Sequence, residues 1–261
     1  MLSPFAAELA QIAHDAGRLI LKHYAAPVGV RAKSDESPVT AADEEAEALI
    51  EQRLAILSPG VPVIAEEAVA RGRVPEIAQR FFLVDPLDGT KEFLKKNGEF
   101  TVNIALIENS RPVCGVMVAP AKGRVFIGDG AGAAFEVAAP DHGPLDLSKA
   151  RPIRARKVPA DGIVALVSRT HRDTKTEEYL ASYKVAEFNA AGSSLKFGLI
   201  AAGEADLYPR HGPTSEWDTA AGQAVLEAAG GSVTTLDGAP LTYGRAQERF
   251  RNPYFIARGM T

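Results

Sequence analysis

Three short acidic segments carry residue types that can bind metal ions: Glu66-Glu67, Asp85 to Thr90, and Trp217 to Gly222. In the second segment, the carboxylates of Asp85 and Asp88 can converge on one point, with the carbonyl of Leu87 between them. We expect Pro86 to end the strand ladder, and Gly89 permits the tight turn that this convergence needs. Grouped hard oxygens suit Mg²⁺, which keeps water and substrate phosphate as further ligands. The spacing therefore predicts a magnesium site that handles phosphate.

Each acidic segment also has an ordinary structural explanation when it is taken alone. Glu66 and Glu67 follow a predicted strand and fit an exposed acidic pair. Asp218 fits the first turn of an apolar helix, where the helix dipole favours negative charge. The presence of all three segments in one chain favours a shared chemical role. A helix that begins near Gly89 and Thr90 would add backbone amides for a phosphate group.

Asp43 has two explanations, and the sequence leaves both open. It stands three residues after Thr40, the expected capping residue of a helix, and can serve the N-terminus of that helix. It also lies beside the apolar stripe that includes Ala46 and Ile50, so its side chain can face inward. A carboxylate there needs a cation or hydrogen-bond donors, because an unpaired buried charge is costly.

The elements that must position these residues follow from the periodicity of apolar side chains. A capped helix is predicted from Ser3-Pro4 to about Tyr24, and a second from about Thr40 to Ser58. Strands are predicted at 61–64, 81–84, 101–107, 113–119, 124–127 and 133–137, forming an antiparallel or mixed sheet. Strands at 163–167, 184–188 and 205–208 then alternate with helices at 173–182, 193–203 and 218–229.

This order predicts an α/β (α+β) protein with two lobes. The lobe over 1–150 would carry the helix pair, the mixed sheet and most metal ligands. The α/β lobe over 151–261 would carry the substrate contacts and the last metal ligand. The glycine-rich segment 128–132 is followed by no predicted helix, so we interpret it as a hairpin turn and not as a dinucleotide-binding loop.

The totals exclude several classes of protein. The chain has 261 residues, a formal net charge of -4 and a single cysteine, Cys114. The net charge gives no reason to expect a nucleic-acid polymer as partner. A single cysteine excludes an internal disulfide framework and a multi-cysteine zinc site. We see no leader peptide and no apolar run long enough to span a membrane. We expect a cytoplasmic protein, monomer or homodimer, with loose attachment to the inner face of the membrane left open.

The three acidic segments, in this order, resemble the inositol monophosphatase-like family of lithium-sensitive, Mg²⁺-dependent phosphatases. The resemblance covers essentially the whole chain and implies a layered αβαβα sandwich of the inositol monophosphatase / fructose bisphosphatase type. It implies two or three Mg²⁺ ions, held by Glu66, Asp85, the Leu87 carbonyl, Asp88 and Asp218. It also implies that Thr90, with Glu66 or Asp43, orients the attacking water. Whether Glu66, Glu67 or Asp43 assists proton removal stays open.

Within that family the chain is most similar to the bacterial 3'(2'),5'-bisphosphate nucleotidases. The similarity rests on the segments 85–93, 97–104, 192–197 and 208–210. It implies a sulfur-metabolism enzyme that converts adenosine 3',5'-bisphosphate to AMP and phosphate. Nucleotide contacts are implied at Gly192, Ser193, Lys196 and Arg210, and we add His171 as a further cation for the second phosphate. Asp88, Gly89, Thr90 and Asp218 would hold the phosphate that is cut.

A second phosphate needs cations away from the metal ions, because the metals neutralise only the scissile group. Lys196, Arg210 and His171 are suitable, and arginine binds phosphate through a two-pronged contact. An inositol monophosphate has no second phosphate and would not need this cluster. An inositol-phosphate or sugar-phosphate phosphatase on the same fold stays open, and so does a non-catalytic, metal-dependent sensor of a phosphorylated metabolite.

Overall fold

A computed structural model describes residues 2–26, 30–32, 38–130, 132–168 and 174–260. The α-helices of these residues are α1 Pro4–Ala25, α2 Ala41–Leu57, α3 Glu66–Ala70, α4 Thr90–Leu94, α5 Thr174–Leu180, α6 Leu195–Ala201 and α7 Ala220–Ala228. The strands are β1 Val30–Ala32, β2 Pro38–Thr40, β3 Val63–Ala65, β4 Arg80–Asp88, β5 Thr101–Glu108, β6 Arg111–Ala119, β7 Arg124–Asp129, β8 Ala133–Ala138, β9 Arg151–Ile153, β10 Ile163–Ser168, β11 Val185–Ala191, β12 Leu207–Arg210, β13 Ser232–Thr235 and β14 Phe255–Arg258.

The first two helices begin where their capping residues predict. The Ser3 hydroxyl accepts a hydrogen bond from the Ala6 amide, and proline follows at the first helical position of α1. Thr40 and Asp43 form a reciprocal capping box at the start of α2. Both predicted starts are confirmed.

The larger sheet has seven strands in the order β3-β4-β5-β6-β7-β8-β9. Strands β3 and β4 are parallel, and the remaining neighbours are antiparallel, so the predicted mixed sheet is confirmed. The expectation that Pro86 ends the strand ladder is wrong. Strand β4 continues to Asp88, which pairs with Thr101 after a register shift between Asp85 and Asp88. Such a bulge re-aims side chains locally.

The second sheet has five strands in the order β11-β10-β12-β14-β13. Strand β10 is parallel to β11 and β12, whereas β14 is antiparallel to β12 and β13. Only the parallel part follows the predicted alternation of strand and helix. The predicted helix over 193–203 is shorter in the structure, which has α6 at Leu195–Ala201.

Three clusters of buried side chains pack the elements into layers. Helices α1 and α2 cover one face of the larger sheet, where Phe82, Val84 and Ile104 are buried. Helices α6 and α7 lie between the other face of that sheet and the second sheet. Helix α5 packs on the far side of the second sheet around Leu180 and Leu207. The order is the predicted αβαβα sandwich.

Close packing brings α7 against the larger sheet. A Cβ atom added at Gly115 would lie 2.7 Å from the Ala221 carbonyl oxygen, and one at Gly128 would lie 2.6 Å from the Ala224 carbonyl. Larger residues at these glycines would push α7 away from the sheet. Because Asp218 lies two residues before α7 begins, this packing also restricts how near Asp218 lies to the residues at the end of β4.

Candidate active site

Three carboxylates from separate parts of the chain converge at the ends of β3 and β4. Ligand oxygens of Glu66, Asp85 and Asp218 all lie within 4.8 Å of one another. Glu66 begins α3 directly after β3, and Asp85 lies in β4 before its bulge. Carboxylate oxygens this close repel one another unless a cation lies between them, and a group of hard oxygens fits Mg²⁺.

Asp88, on the other side of the bulge, is not one of these three converging carboxylates but lines the same pocket as Glu66 and Asp218. Its Oδ2 accepts hydrogen bonds from the Ser194 amide and from the Thr101 hydroxyl, the latter at 3.5 Å. Loss of contact with water raises the pKa of Asp88 to about 6, the nearby Glu66 carboxylate adds to this rise, and the Lys196 ammonium opposes it. A divalent cation beside this carboxyl would favour its ionised form and so offset the effect of burial.

Asp218 completes the group from the second half of the chain. It ends a short 3-10 turn, Glu216–Asp218, and its Oδ2 accepts the Ser215 amide at 2.8 Å. The expectation that Asp218 belongs to the first turn of α7 is therefore wrong, because α7 begins at Ala220. Burial, followed by the Asp88 and Glu66 carboxylates, raises the pKa of Asp218 to about 8.

Thr90 connects the bulge to the second helix. Its Oγ1 lies 3.4 Å from Oδ1 of Asp43 and 3.4 Å from the carbonyl oxygen of Leu87. Oδ2 of the same Asp43 accepts the Thr40 amide at 2.8 Å and the Thr40 hydroxyl at 2.7 Å. Both explanations of Asp43 thus hold, since one carboxylate oxygen caps α2 and the other faces Thr90.

Glu67 has a different position from Glu66. Its side chain is buried, and it is not among the residues that line the pocket beside the carboxylates. Its amide donates to Oε2 of Glu47 at 2.7 Å, while Oε1 of Glu47 accepts from Arg71 at 2.6 Å. Because Glu47 lies in α2, these bonds hold the start of α3, and with it Glu66, against the second helix.

A pocket of about 450 Å³ opens beside the carboxylates. Its acidic wall contains Glu66, Asp88 and Asp218, and the turn at Gly89 and Thr90 adjoins them. Gly89 has φ 90°, a left-handed conformation that glycine adopts without strain, and it begins α4. The remaining lining residues are Lys91, Glu92, Gly192, Ser193, Ser194, Lys196, Phe197, Tyr208, Arg210, Pro213, Thr214, Thr219, Arg251 and Phe255.

Lys196 is the most buried cation of the pocket, with 3% of its surface exposed. Its ammonium donates to the carbonyls of Ala191 at 3.0 Å and Ser193 at 2.5 Å, and it lies 4.9 Å from the Tyr208 ring centre. Burial lowers the pKa of Lys196 to about 8, and the Asp88 carboxylate opposes that change. Since an ammonium has three N–H donors, one remains for a ligand.

The turn before α6 is fastened to the larger sheet. The Gly192 amide donates to Oε2 of Glu99 at 2.9 Å, and the Ser194 hydroxyl lies 2.7 Å from Oδ1 of Asn103. Ser193 has φ 49°, a left-handed conformation that is uncommon for a residue with a side chain. Gly192, Ser193 and Lys196 therefore line the same pocket as the acidic wall, while His171 lies outside the described residues.

Comparison with known proteins shows to which family this chain belongs. The sequence profile of the inositol monophosphatase family matches residues 1–257. The chain belongs to the inositol monophosphatase family. A relative from Escherichia coli O157:H7, named 3'(2'),5'-bisphosphate nucleotidase CysQ, is 44% identical over 250 residues, which are 95% of this chain and 97% of the relative.

Solved structures of the inositol monophosphatase family agree with the fold. CysQ from Bacteroides thetaiotaomicron has a TM-score of 0.80 and 37% identity, covering 98% of this chain and 97% of its own. An inositol monophosphatase from Zymomonas mobilis has a TM-score of 0.77 and 24% identity, covering 99% of this chain and 94% of its own. This family is metal-dependent, and the chain is a phosphoric monoester hydrolase. Among the described helices, none has the length and apolarity that a membrane span requires.

Several pocket residues were missed by the sequence reading. Glu92, Tyr208 and Arg251 line the pocket, and Thr101 and Ser194 bind Asp88. Tyr208 belongs to the segment 208–210 that supports the family resemblance, but no role in the site was assigned to it, although its place two residues before Arg210 was an available signal. Arg251 carries no such signal, because it reaches the pocket through a backbone bridge to Ser215.

Proposed function

We propose that this chain is a Mg²⁺-dependent phosphatase that hydrolyses the 3'-phosphate of adenosine 3',5'-bisphosphate to AMP and inorganic phosphate. The observation that carries the proposal is that carboxylates and cations meet at one pocket. The carboxylates of Glu66, Asp85 and Asp218 converge there, and we call them the metal side. The cations Lys196 and Arg210 line the same pocket, and we call them the cationic side. A substrate with two phosphates matches both sets of residues.

The metal side suits the phosphate that is cut. Two or three Mg²⁺ ions would be held by Glu66, Asp85, Asp88, Asp218 and the Leu87 carbonyl. Bound there, Mg²⁺ would lower the pKa of water and offset charge on the phosphoryl oxygens. Backbone amides at Gly89 and Thr90, which open α4, would bind those oxygens as well.

Thr90 is placed to orient the attacking water. When its hydroxyl proton points to Asp43 Oδ1, at 3.4 Å, its lone pairs can accept a hydrogen bond from that water. A proton can then pass from water to the threonine oxygen as the threonine proton moves to Asp43. Water adds to phosphorus, the ester P–O bond breaks, the ribose oxygen takes up a proton from solvent water to give AMP, and Asp43 then releases its proton to solvent.

The cationic side suits the second phosphate. Arg210 Nη2 donates to the Pro213 carbonyl at 3.1 Å, which holds the guanidinium at the pocket wall. No ion pair between Arg210 and a carboxylate within 4 Å is found in the part of the chain that the structure describes. Its charge is therefore available to a ligand, and Arg251 adds another exposed cation to the same lining.

A second candidate is an inositol-phosphate phosphatase on the same fold. The observation in its favour is the likeness to a solved inositol monophosphatase. That likeness, at 24% identity, is a likeness of fold. Phosphate release from adenosine 3',5'-bisphosphate and from inositol 1-phosphate, each with and without Mg²⁺, decides between them. We expect metal-dependent release with much higher kcat/KM for the nucleotide. Preference for inositol 1-phosphate would refute the proposal, and no release from either would favour a sensor.

A further inference from the structure

Glu92 is a buried carboxylate in the pocket that the mechanism above does not use. It lies in α4, two residues after Thr90, and exposes only 6% of its surface. It lines the same pocket as Asp88 and Lys196. Acidic side chains are seldom this buried unless a partner satisfies them.

Among the described residues, the Glu92 carboxylate has no hydrogen-bonded partner. With residues 1, 27–29, 33–37, 131, 169–173 and 261 set aside, no hydrogen bond and no ion pair within 4 Å reaches it, and the Lys196 ammonium acts on it only through longer-range electrostatics. Its oxygens are not sealed inside protein either, because they are absent from the atoms that are both buried and unbonded. The carboxylate therefore faces the pocket space.

Its surroundings place Glu92 close to the phosphate turn. Oε2 lies 3.4 Å from where a Cβ of Gly89 would be, and the side-chain Cγ lies 2.7 Å from where a Cβ of Gly192 would be. Glu92 is thus held between the turn that begins α4 and the turn that precedes α6. The two turns leave its rotamer little freedom.

The chemistry of Glu92 restricts what it can bind. An ionised carboxylate only accepts hydrogen bonds, so it repels phosphate oxygens and attracts a neutral O–H or N–H donor. A hydrogen bond to a buried carboxylate stabilises a bound ligand more than a hydrogen bond to an exposed carboxylate does, because a buried charge without a donor is costly. In the proposed function the turn at Gly89 binds the phosphate that is cut, so a donor that reaches Glu92 beside this turn would belong to the adjacent part of the substrate.

We propose that Glu92 is a specificity-determining residue that accepts a hydrogen bond from the hydroxyl on the carbon next to the scissile ester. The proposal rests on the proposed function, in which that group is the ribose 2'-hydroxyl of the bisphosphate. Glu92 would thereby distinguish a ribose substrate from its 2'-deoxy counterpart. It binds the leaving group, whereas Lys196 and Arg210 face the second phosphate.

The test compares two substrates on four proteins. Phosphate release is measured from adenosine 3',5'-bisphosphate and its 2'-deoxy analogue with the unchanged chain, Glu92→Met, Glu92→Gln and the control Glu108→Gln. Glu108 pairs with Arg80 at the opposite end of β4 and β5. Methionine keeps most of the volume beside Gly192 but accepts no strong hydrogen bond, and glutamine keeps one acceptor oxygen.

We expect the unchanged chain and Glu108→Gln to prefer the ribose substrate by about 10- to 100-fold in kcat/KM. Glu92→Met should lose this preference, and Glu92→Gln should keep part of it. The Mg²⁺ affinity of Glu92→Met, measured by calorimetry, should stay within about 3-fold of the parent value, because Glu92 is not a ligand.

An unchanged ribose preference in Glu92→Met would overturn the role of Glu92. If that variant also loses much of its Mg²⁺ affinity, Glu92 supports the metal site instead. Failure of the unchanged chain to release phosphate from either nucleotide would refute the proposed function instead. The same comparison is then made with inositol 1-phosphate and its analogues that lack a hydroxyl beside the ester.

Discussion

Oδ1 of Asp43 lies 3.4 Å from the hydroxyl oxygen of Thr90, across a gap that separates the second helix from the bulge of β4. The other oxygen of Asp43 is already occupied by the amide and hydroxyl of Thr40. The capping box thus fixes the carboxylate, which offers the Thr90 hydroxyl one acceptor while the Leu87 carbonyl offers another at the same distance. In the proposed mechanism, a local helix-capping motif would therefore also orient a catalytic hydroxyl.

Removing the Thr90 hydroxyl should lower turnover without abolishing substrate binding. Thr90→Val keeps the shape of the side chain but removes the oxygen that would orient water. We expect kcat to fall by about 100-fold or more while KM changes little, and Thr90→Ser to recover most of the rate. Steady-state kinetics on all three proteins tests this. An equal loss in the serine variant would indicate that the methyl group matters instead of the hydroxyl.

Asp85→Asn should inactivate the enzyme while the fold survives. Oδ1 of Asp85 accepts the Leu87 amide at 3.0 Å, and the asparagine oxygen can keep that bond. The lost negative charge should weaken Mg²⁺ binding and lower kcat by more than about 100-fold. Calorimetry with Mg²⁺ and circular dichroism separate these effects, with exposed Asp141→Asn as control. Near-normal activity in Asp85→Asn would contradict the metal assignment.

The metal-free chain should lose stability as pH rises from about 4 to about 8. The pKa of Asp88 is raised to about 6 and that of Asp218 to about 8, so the folded state binds more protons than the unfolded state in this window. The free energy of unfolding then falls with rising pH. Scanning calorimetry in chelator at about pH 5 and about pH 8 measures the slope.

Added Mg²⁺ should raise Tm more at about pH 8 than at about pH 5, because the ion competes with protons for the same oxygens. Asp218→Asn removes one of the shifted groups, so its Tm in chelator should depend less on pH than that of the parent. Equal pH dependence of the two proteins would show that Asp218 does not titrate as the site geometry requires.

Arg210→Ala should discriminate between substrates. We expect KM for adenosine 3',5'-bisphosphate to rise by about 10-fold or more, and KM for inositol 1-phosphate to change far less. Arg210→Lys should restore part of the affinity because it keeps the charge but not the planar fork. Arg80→Ala, at the far end of β4, is the matched control. Equal effects on both substrates would refute the second-phosphate role.

The helices and most strands could be predicted because their signals are local. Ser3 and Thr40 cap their helices by contacts within three residues, which a sequence displays directly. Helix α3 was missed because it has five residues and no side-chain cap. Strands β13 and β14 were missed because their antiparallel pairing at the edge beside β12 depends on partners far along the chain.

The contacts of the candidate site could likewise be predicted only in part from the sequence. Glu66, Asp85 and Asp218 were expected to meet because the family resemblance supplies a contact that periodicity cannot. The bond from Ser194 to Asp88 had no sequence signal, since it joins two turns that only tertiary packing brings together. Glu92 was overlooked for a related reason, because its burial depends on Gly192.

The hydrogen bond between the Ser194 amide and Asp88 also bears on how the chain reaches its native state. It joins segments 106 residues apart, so we expect the acidic cluster to close late in folding, when both segments have been brought together. A partly folded chain cannot assemble all of these oxygens, and therefore retains only part of its affinity for the ion. Magnesium should accordingly slow unfolding much more than it accelerates refolding, which would make the cation a source of kinetic stability.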